Sequence, residues 1–526
     1  MKSVASAALL ALLGHRSAAR GQCNGTFDDI SAADFLAAAN PTWNLGNTLD
    51  AIPDEGSWNN PPVEASTFDD IVAAGFKGVR IPVTYTHHFL SEAPDYEVDP
   101  AWLQRVSDVI DFALERDLYV VTNVHHDSWE WADVRTGDLD VIKAKYRALW
   151  EQIAAKLACK PAQVAFEDIN EPPADTAEHG SSVTELSRIF LDVLAASGDW
   201  NARRVVTLSN GNNDPVKTSQ WFEPPPADTT TNPWALQVHY YGPYDFIFSA
   251  WGKTIWGSAD DKAQPETEFG VVRGNFTDVP IYIGEFDASP TNTEPAARWR
   301  WFDHLVKIAN SIDATLAVWD NGLDHLDRDS GEWRDPTTLE ILQGVGQSID
   351  HSLPDSTVDG SATEQGSSAF VYHKVGDEVA DQELPYSFNG NSVTAVTTSD
   401  GTELAAGADY IVGDASITIT AEYLLSVIDA TSPAGVYDVL TVSFSAGASP
   451  TITIVQWDVP TLGATSGTAT SGSDHVIPIE WAGIPKLAAV KLVAEDGTFL
   501  FDDWTQYLGP LQQARGVSYP SAPTTI

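Results

Sequence analysis

Eight short apolar runs recur between Thr42 and Asp350, each followed by a stretch with helical periodicity. They are "TWNLG" from Thr42, "GVRIPV" from Gly78, "LYVVTNV" from Leu118, "VAFEDI" from Val164, "RVVTLS" from Arg204, "ALQVHY" from Ala235, "PIYIGEF" from Pro280 and "ATLAVWD" from Ala314. Runs that stay apolar at successive positions suit strands buried on both faces, as in a parallel sheet covered by helices. The helices are legible too: in "AWLQRVSDVIDFALER", Leu103, Val106, Ile110 and Leu114 fall on one face. Eight strands alternating with helices predict an α/β fold, a (β/α)8 TIM barrel.

Such a barrel does not use all 526 residues. The stretch 351–369 is small, polar and aperiodic, and reads as a linker after a barrel over 22–350. Beyond it, "NSVTAVTTSDGTEL", "ASITITAEYLLSV" and "VYDVLTVSFSAG" read as strands of a β-sandwich over 370–460. After the Gly/Ser/Thr-rich run from Thr461, a strand-rich tail with Trp481, Phe499, Phe501, Trp504 and Tyr507 reads as a third, small all-β module over 461–526.

A net charge of −45 argues against nucleic acid or an anionic membrane as a partner, and a neutral substrate fits better. Residues 1–21 carry Lys2, an apolar run from Val4 to Leu13 and then small residues, the pattern of a secretory signal peptide. The run is shorter than a membrane span needs, so a soluble, secreted, extracellular protein is expected. Cys23 and Cys159 are compatible with one disulfide or with two thiols, and the sequence leaves both open. Without a Cys/His cluster, no structural zinc site is expected.

In a (β/α)8 barrel the working groups sit at the C-terminal ends of the strands, where the loops converge. Arg80 lies in the second candidate strand, His125 and His126 follow the third, and Asn170 and Glu171 follow the fourth. His239 and Tyr241 follow the sixth, Glu285 the seventh and Trp319 the eighth. Two carboxylates over one mouth suit glycosidic cleavage, in which one group protonates the leaving oxygen while the other attacks the anomeric carbon. Glu171 is expected to be the protonated member, because the charge of Glu285 and partial desolvation both favour its neutral form. Arg80 and Tyr241 are placed to hold Glu285 ionised. Asn170 suits a sugar 2-hydroxyl, His125 and His239 suit orienting roles, and Trp319 offers a flat face for a pyranose ring.

The segments "WNLGNTLDA", "GVRIPVTY", "VTNVHHDSW", "FEDINEPP", "VHYYGPY", "YIGEFD" and "AVWDNG" together resemble the successive motifs of glycoside hydrolase family 5, a group of retaining barrel enzymes. "NLGNTLDA" and "NVHHD" are most similar to its endoglucanase and xyloglucanase branch. The resemblance implies Glu171 as acid/base, Glu285 as nucleophile, and Arg80, His125, Asn170, His239, Tyr241 and Trp319 as the rest of the site. It implies a secreted, monomeric endo-β-1,4-glucanase that needs no cofactor or metal and takes cellulose, mixed-linkage glucan or xyloglucan. The segment from Leu384 resembles an immunoglobulin-like module, and that from Ile477 a family 46 carbohydrate-binding module.

Other readings stand beside these. His125, His126 and Asp127, with His87 and His88, would make a poor metal chelate, because adjacent residues of a strand face opposite ways. Asn47, His126, Trp129 and Trp333 are expected to line the substrate cleft, whereas a loop Trp such as Trp58 or Trp131 can equally plug the barrel mouth. Trp481 and Trp504 are either core residues or an extension of the cleft. A xyloglucan-specific or broad β-glucan endohydrolase shares the same catalytic pair. A non-catalytic, polysaccharide-binding cell-wall protein is the reading from another class.

Overall fold

The computed structural model describes residues 23–227, 230–248, 253–356, 366–429, 431–473, 475–486 and 493–498. Eight parallel strands close into one barrel in chain order. They are β1 (Thr42–Asn44), β2 (Gly78–Ile81), β3 (Tyr119–Thr122), β4 (Val164–Glu167), β5 (Val206–Leu208), β6 (Trp234–Tyr240), β7 (Ile281–Phe286) and β8 (Ala314–Val318). Closure is made by Thr42 and Trp43 of β1 pairing with Ala317 and Val318 of β8. Every residue of β2, β4, β7 and β8 is buried, which is why these strands read as unbroken apolar runs.

The surrounding helices form where local signals agree. In Pro100–Leu114 the Asp99 side chain accepts from the Ala101 N–H, Pro100 occupies the first turn, and Trp102, Leu103, Val106, Val109, Ile110 and Ala113 face the barrel. The floor of the barrel is closed by helix Ala32–Ala39, whose Phe35 and Leu36 share a cluster with Val121, Ala165, Ala235, Tyr282 and Ala317. Cys23 and Cys159 are joined by a disulfide, which ties the entering chain to the segment before β4 and resolves the choice the sequence leaves open. Among the described residues no helix is long and apolar enough to cross a membrane. The expected signal peptide lies outside them.

The second module is a two-layer β-sandwich. One sheet orders Leu353–Pro354, Gln382–Ser387, Ser416–Ile419 and Tyr410–Val412, and the other orders Phe370–Lys374, Thr451–Trp457, Gly435–Phe444 and Val393–Thr397. Leu384, Tyr386, Val396, Ile417, Leu440, Val442, Ile452 and Ile454 fill the space between them.

Two expectations are corrected here. The linker does not begin at residue 351: Leu353 and Pro354 already pair with Ser387 and Tyr386, and His351, Ser352 and Leu353 are buried. Their small, polar neighbours hide that burial from composition. The run "ASITITAEYLLSV" is not one strand, because Ala421–Val427 is a helix capped by Thr420, whose hydroxyl accepts from the Tyr423 N–H. Of the tail, Thr461–Leu462 pairs with Ile479–Glu480, and Lys486 donates to the Pro290 and Thr293 carbonyls of the barrel. Phe499, Phe501, Trp504 and Tyr507 lie outside the described residues.

Candidate active site

The ends of β2, β4, β6 and β7 bring four ionisable side chains to one point above the barrel. Arg80 is fully buried and works as a hub. Its Nη1 donates to Glu285 Oε1 at 2.6 Å and to Asn44 Oδ1 at 2.9 Å. Its Nε and Nη2 fork onto the two oxygens of Glu167 at 2.6 and 2.7 Å, and Nη2 also donates to Asn170 Oδ1 at 2.8 Å. A guanidinium has five donors in one plane, and here all its nitrogens have partners, so its place is fixed.

Glu285 is 5% exposed. Its second oxygen accepts from the Tyr241 hydroxyl at 2.9 Å, and His239 Nδ1 stands 3.5 Å away. Burial pushes the Glu285 carboxyl above the ordinary range, His239 and Arg80 pull it back, and Glu171 pushes it further up. Burial and the Glu285 charge together hold Tyr241 as a neutral hydroxyl, well above its ordinary range, so that it acts as a donor.

Glu171 is more open, its side chain 31% exposed. Its backbone takes a positive φ of 39°, a conformation few non-glycine residues adopt, just beyond the buried Ile169 and Asn170. Glu171 Oε1 is 2.8 Å from His239 Nδ1. Beneath it, Thr207 donates to Gln237 Oε1, and Gln237 Nε2 lies 3.1 Å from His239 Nε2, so both ring nitrogens of His239 have a neighbour. Gly284 permits this stack, since a Cβ there would meet Gln237 Nε2 at 2.8 Å. One oxygen each of Glu171 and Glu285 and the His239 nitrogen lie within 4.8 Å of one another.

The other expected residues divide. His125 is buried, receives a hydrogen bond from Asn123 Nδ2 on Nδ1 at 3.0 Å, and lies parallel to Trp319 with ring centroids 5.9 Å apart. Burial drives its imidazole well below its ordinary range, so it is neutral. Trp319 is half-buried and leans on Gly46, where a Cβ would meet its ring at 2.7 Å. Asn47 donates to Asn59 in the loop after β1. His126 stacks on the exposed Trp129 at 4.1 Å and lies 5.4 Å from the exposed Trp58, which makes a ledge of three aromatic rings.

Trp333 is a correction. Its ring stacks on Phe76, which leads into β2, and its Nε1 is buried, so it packs the barrel rather than the cleft. Nor do His125 and His126 face opposite ways, as strand alternation predicts. Both lie beyond the end of β3, where alternation ceases, and their rings are 4.5 Å apart with Asp50 beside them. Asp127 is engaged elsewhere, accepting from the Tyr85 N–H, Thr86 and Trp131.

Glu167, Asn44, Asn123 and Gln237 were not anticipated. Glu167 left one signal, a carboxylate inside the strand "VAFE", four residues before Glu171. A buried acid there requires a cation, and Arg80 supplies it.

A closed (β/α)8 barrel with a carboxylate pair converging over its C-terminal mouth defines a barrel glycoside hydrolase. The cellulase (glycosyl hydrolase family 5) description matches residues 37–324, and the carbohydrate binding domain X2 description matches residues 365–454. The chain belongs to glycosyl hydrolase family 5. Endoglucanase B of Paenibacillus lautus is 30% identical over 480 residues, covering 88% of this chain and 81% of that protein. The crystal structure of a tri-modular subfamily 4 endo-β-1,4-glucanase of this family from Bacillus licheniformis, complexed with cellotetraose, superposes with a TM-score of 0.79 at 35% identity, covering 89% of this chain and 88% of that one. A family 5 xyloglucanase from Paenibacillus pabuli superposes with a TM-score of 0.56 at 25% identity, over 59% of this chain and 99% of that one.

Proposed function

We propose that this protein is a secreted, monomeric endo-β-1,4-glucanase that cleaves internal bonds of a β-glucan by double displacement with retention. The observation that carries the mechanism is the approach of Glu171 and Glu285, whose nearest oxygens lie within 4.8 Å. Retaining enzymes hold their carboxyl groups roughly 5–5.5 Å apart, whereas inverting enzymes leave about 6.5–9.5 Å for a water.

In the first step an oxygen of Glu285 forms a bond to the anomeric carbon. The bond to the leaving sugar breaks, and its oxygen takes the proton of Glu171. In the second step Glu171 accepts a proton from water, the water oxygen bonds to the anomeric carbon, and Glu285 departs as a carboxylate. Arg80 and Tyr241 hold both oxygens of Glu285, and so oppose the burial that favours its neutral form. Since Asn170 Oδ1 is engaged by Arg80, its amide N–H groups are left to bind the sugar 2-hydroxyl. Trp319, with Trp58 and Trp129, whose rings cover the buried His126, supplies stacking faces along the glucan, and Asn47 is tied to Asn59 next to Trp58. The sandwich is read as a carbohydrate-binding module, with Tyr372 exposed and stacked on Phe370.

The test is initial release of reducing ends from carboxymethyl cellulose, mixed-linkage glucan, xyloglucan and galactomannan. Cleavage of the glucans with a rapid fall in viscosity is expected. Binding without release would overturn the reading in favour of a binding protein.

A further inference from the structure

Three ionisable side chains lie buried just past the end of β7 and in the loop after β8, and the steps above do not use them. Asp287 stands two residues beyond Glu285, just past the end of β7. It is 3% exposed, and its Oδ1 is 2.8 Å from Nε2 of His325, which is fully buried in the loop after β8. Asp324, also buried, accepts from the Ser289 hydroxyl. The same loop is pinned by Asp320, which accepts from Trp43 Nε1 and from the Gly322 and Leu326 N–H groups. Placing three such groups in the interior is costly unless they are paired, and a simple packing role would be met more cheaply by apolar side chains.

We propose that the Asp287–His325 pair is a positioning device for the reaction: it clamps the segment that carries Glu285 to the loop that begins with Trp319, and so sets nucleophile and sugar platform relative to each other. Trp319 N–H already donates to the Phe286 carbonyl at 3.0 Å, so the pair is a second tie between the same two segments. The clamp is charged. Burial alone would deprotonate His325, but the Asp287 charge, aided by Asp320 and Asp324, lifts it to about 9 and keeps it an imidazolium at neutral pH. Asp287 is also near enough to Tyr241 to reinforce its protonated state.

The groups that face Glu285 are Arg80 from β2, Glu171 beyond β4, His239 from β6 and Tyr241 just past it. Those that face Asp287 are His325, Asp320, Asp324 and Tyr241. The two charges depend on each other, so either substitution lets burial neutralise the remaining partner and breaks the tie with little change in net charge beside the nucleophile.

The inference rests on Glu285 as nucleophile, so the probe reports that step alone. In a 2-deoxy-2-fluoro-cellobiosyl fluoride, Glu285 bonds to the anomeric carbon while fluoride leaves with its electron pair, without help from an acid. For Asp287→Asn we expect the inactivation rate to fall roughly tenfold or more with the inhibitor constant changed less than about twofold. His325→Gln should lose rate in the same way, and the acid limb should stay in place in both variants, because the pair is lost as a whole and the defect is one of geometry. A rate within about twofold of wild type, or a loss that appears in the inhibitor constant instead, overturns the proposal. If His325→Gln fails to fold, the isosteric Asp287→Asn decides alone, by whether its inactivation rate falls. Peptide mapping of the inactivated wild-type protein separates the two layers: a label away from Glu285 refutes the nucleophile assignment, whereas a label on Glu285 with an unchanged rate in Asp287→Asn refutes the clamp.

Discussion

Arg80 Nη1 lies 2.6 Å from Glu285 Oε1 while the other edge of the same guanidinium is forked onto Glu167. One buried cation thus serves two carboxylates, and the fork onto the first fixes the direction in which it meets the second. A lysine has the charge without the fork. Arg80→Lys should lower kcat/KM on soluble glucan by on the order of 10²-fold. Glu167→Gln, which keeps the shape and weakens the fork, should fall between that variant and the wild type. Wild-type kinetics in Arg80→Lys would show that orientation of the nucleophile does not matter.

The proposed mechanism gives Glu171 and Glu285 different duties, and substrates separate them. Glu171→Ala should lose about 10²–10⁴-fold on glucan yet cleave a dinitrophenyl cellobioside well in the first step, because that leaving group needs no proton. Added azide should restore its turnover and give the β-glycosyl azide. Glu285→Ala should fail on both substrates, and azide should give the α-product. Reversed behaviour would exchange the two roles.

Burial lifts Glu285 above the ordinary carboxylate range, and His239 and Arg80 offset only part of that. The proposed mechanism needs this group ionised, so activity should be lost as pH falls through its pKa. The acid limb of kcat/KM on an activated substrate should therefore lie above the ordinary value of about 4.3. A limb below that value would mean that the site is more solvated than the buried geometry allows.

Away from the cleft, Asp335 accepts from Arg298 Nε at 2.7 Å and Trp299 Nε1 at 2.9 Å, and caps helix Pro336–Gln343 through Thr338. Burial acts against its charge, but Arg298 and these donors hold its carboxyl below the ordinary range. A depressed carboxylate contributes stability that is present above its unfolded pKa, near 3.9, and is lost as pH falls through the folded one. Asp335→Ala leaves Arg298 buried without its partner and should cost about 3–5 kcal/mol in denaturant unfolding at neutral pH. A change under about 1 kcal/mol would show the pair to be solvated.

The barrel was legible because its strands are buried on both faces and each is bounded by helical periodicity, so all eight runs announced themselves. The strand-end residues were legible for the same reason: Arg80, Glu171 and Glu285 interrupt or end apolar runs where a polar side chain needs a function. Trp333 was misread because a loop tryptophan looks the same whether it meets Phe76 or a sugar. Glu167 and Gln237 were missed because their importance lies in partners from distant strands, and no local spacing records a hydrogen bond from Arg80 or to His239. His125 and His126 deceived in another way, since the alternation rule was applied beyond the point where β3 ends.

The central claim is that Glu171 and Glu285 act as a retaining pair, and the stereochemistry of the first-formed product tests it most directly. Proton NMR of a cello-oligosaccharide digest, recorded before mutarotation, should show the new reducing end as the β-anomer, with the α-anomer growing only later. Initial appearance of the α-anomer would mean a single displacement by water, and would contradict the account.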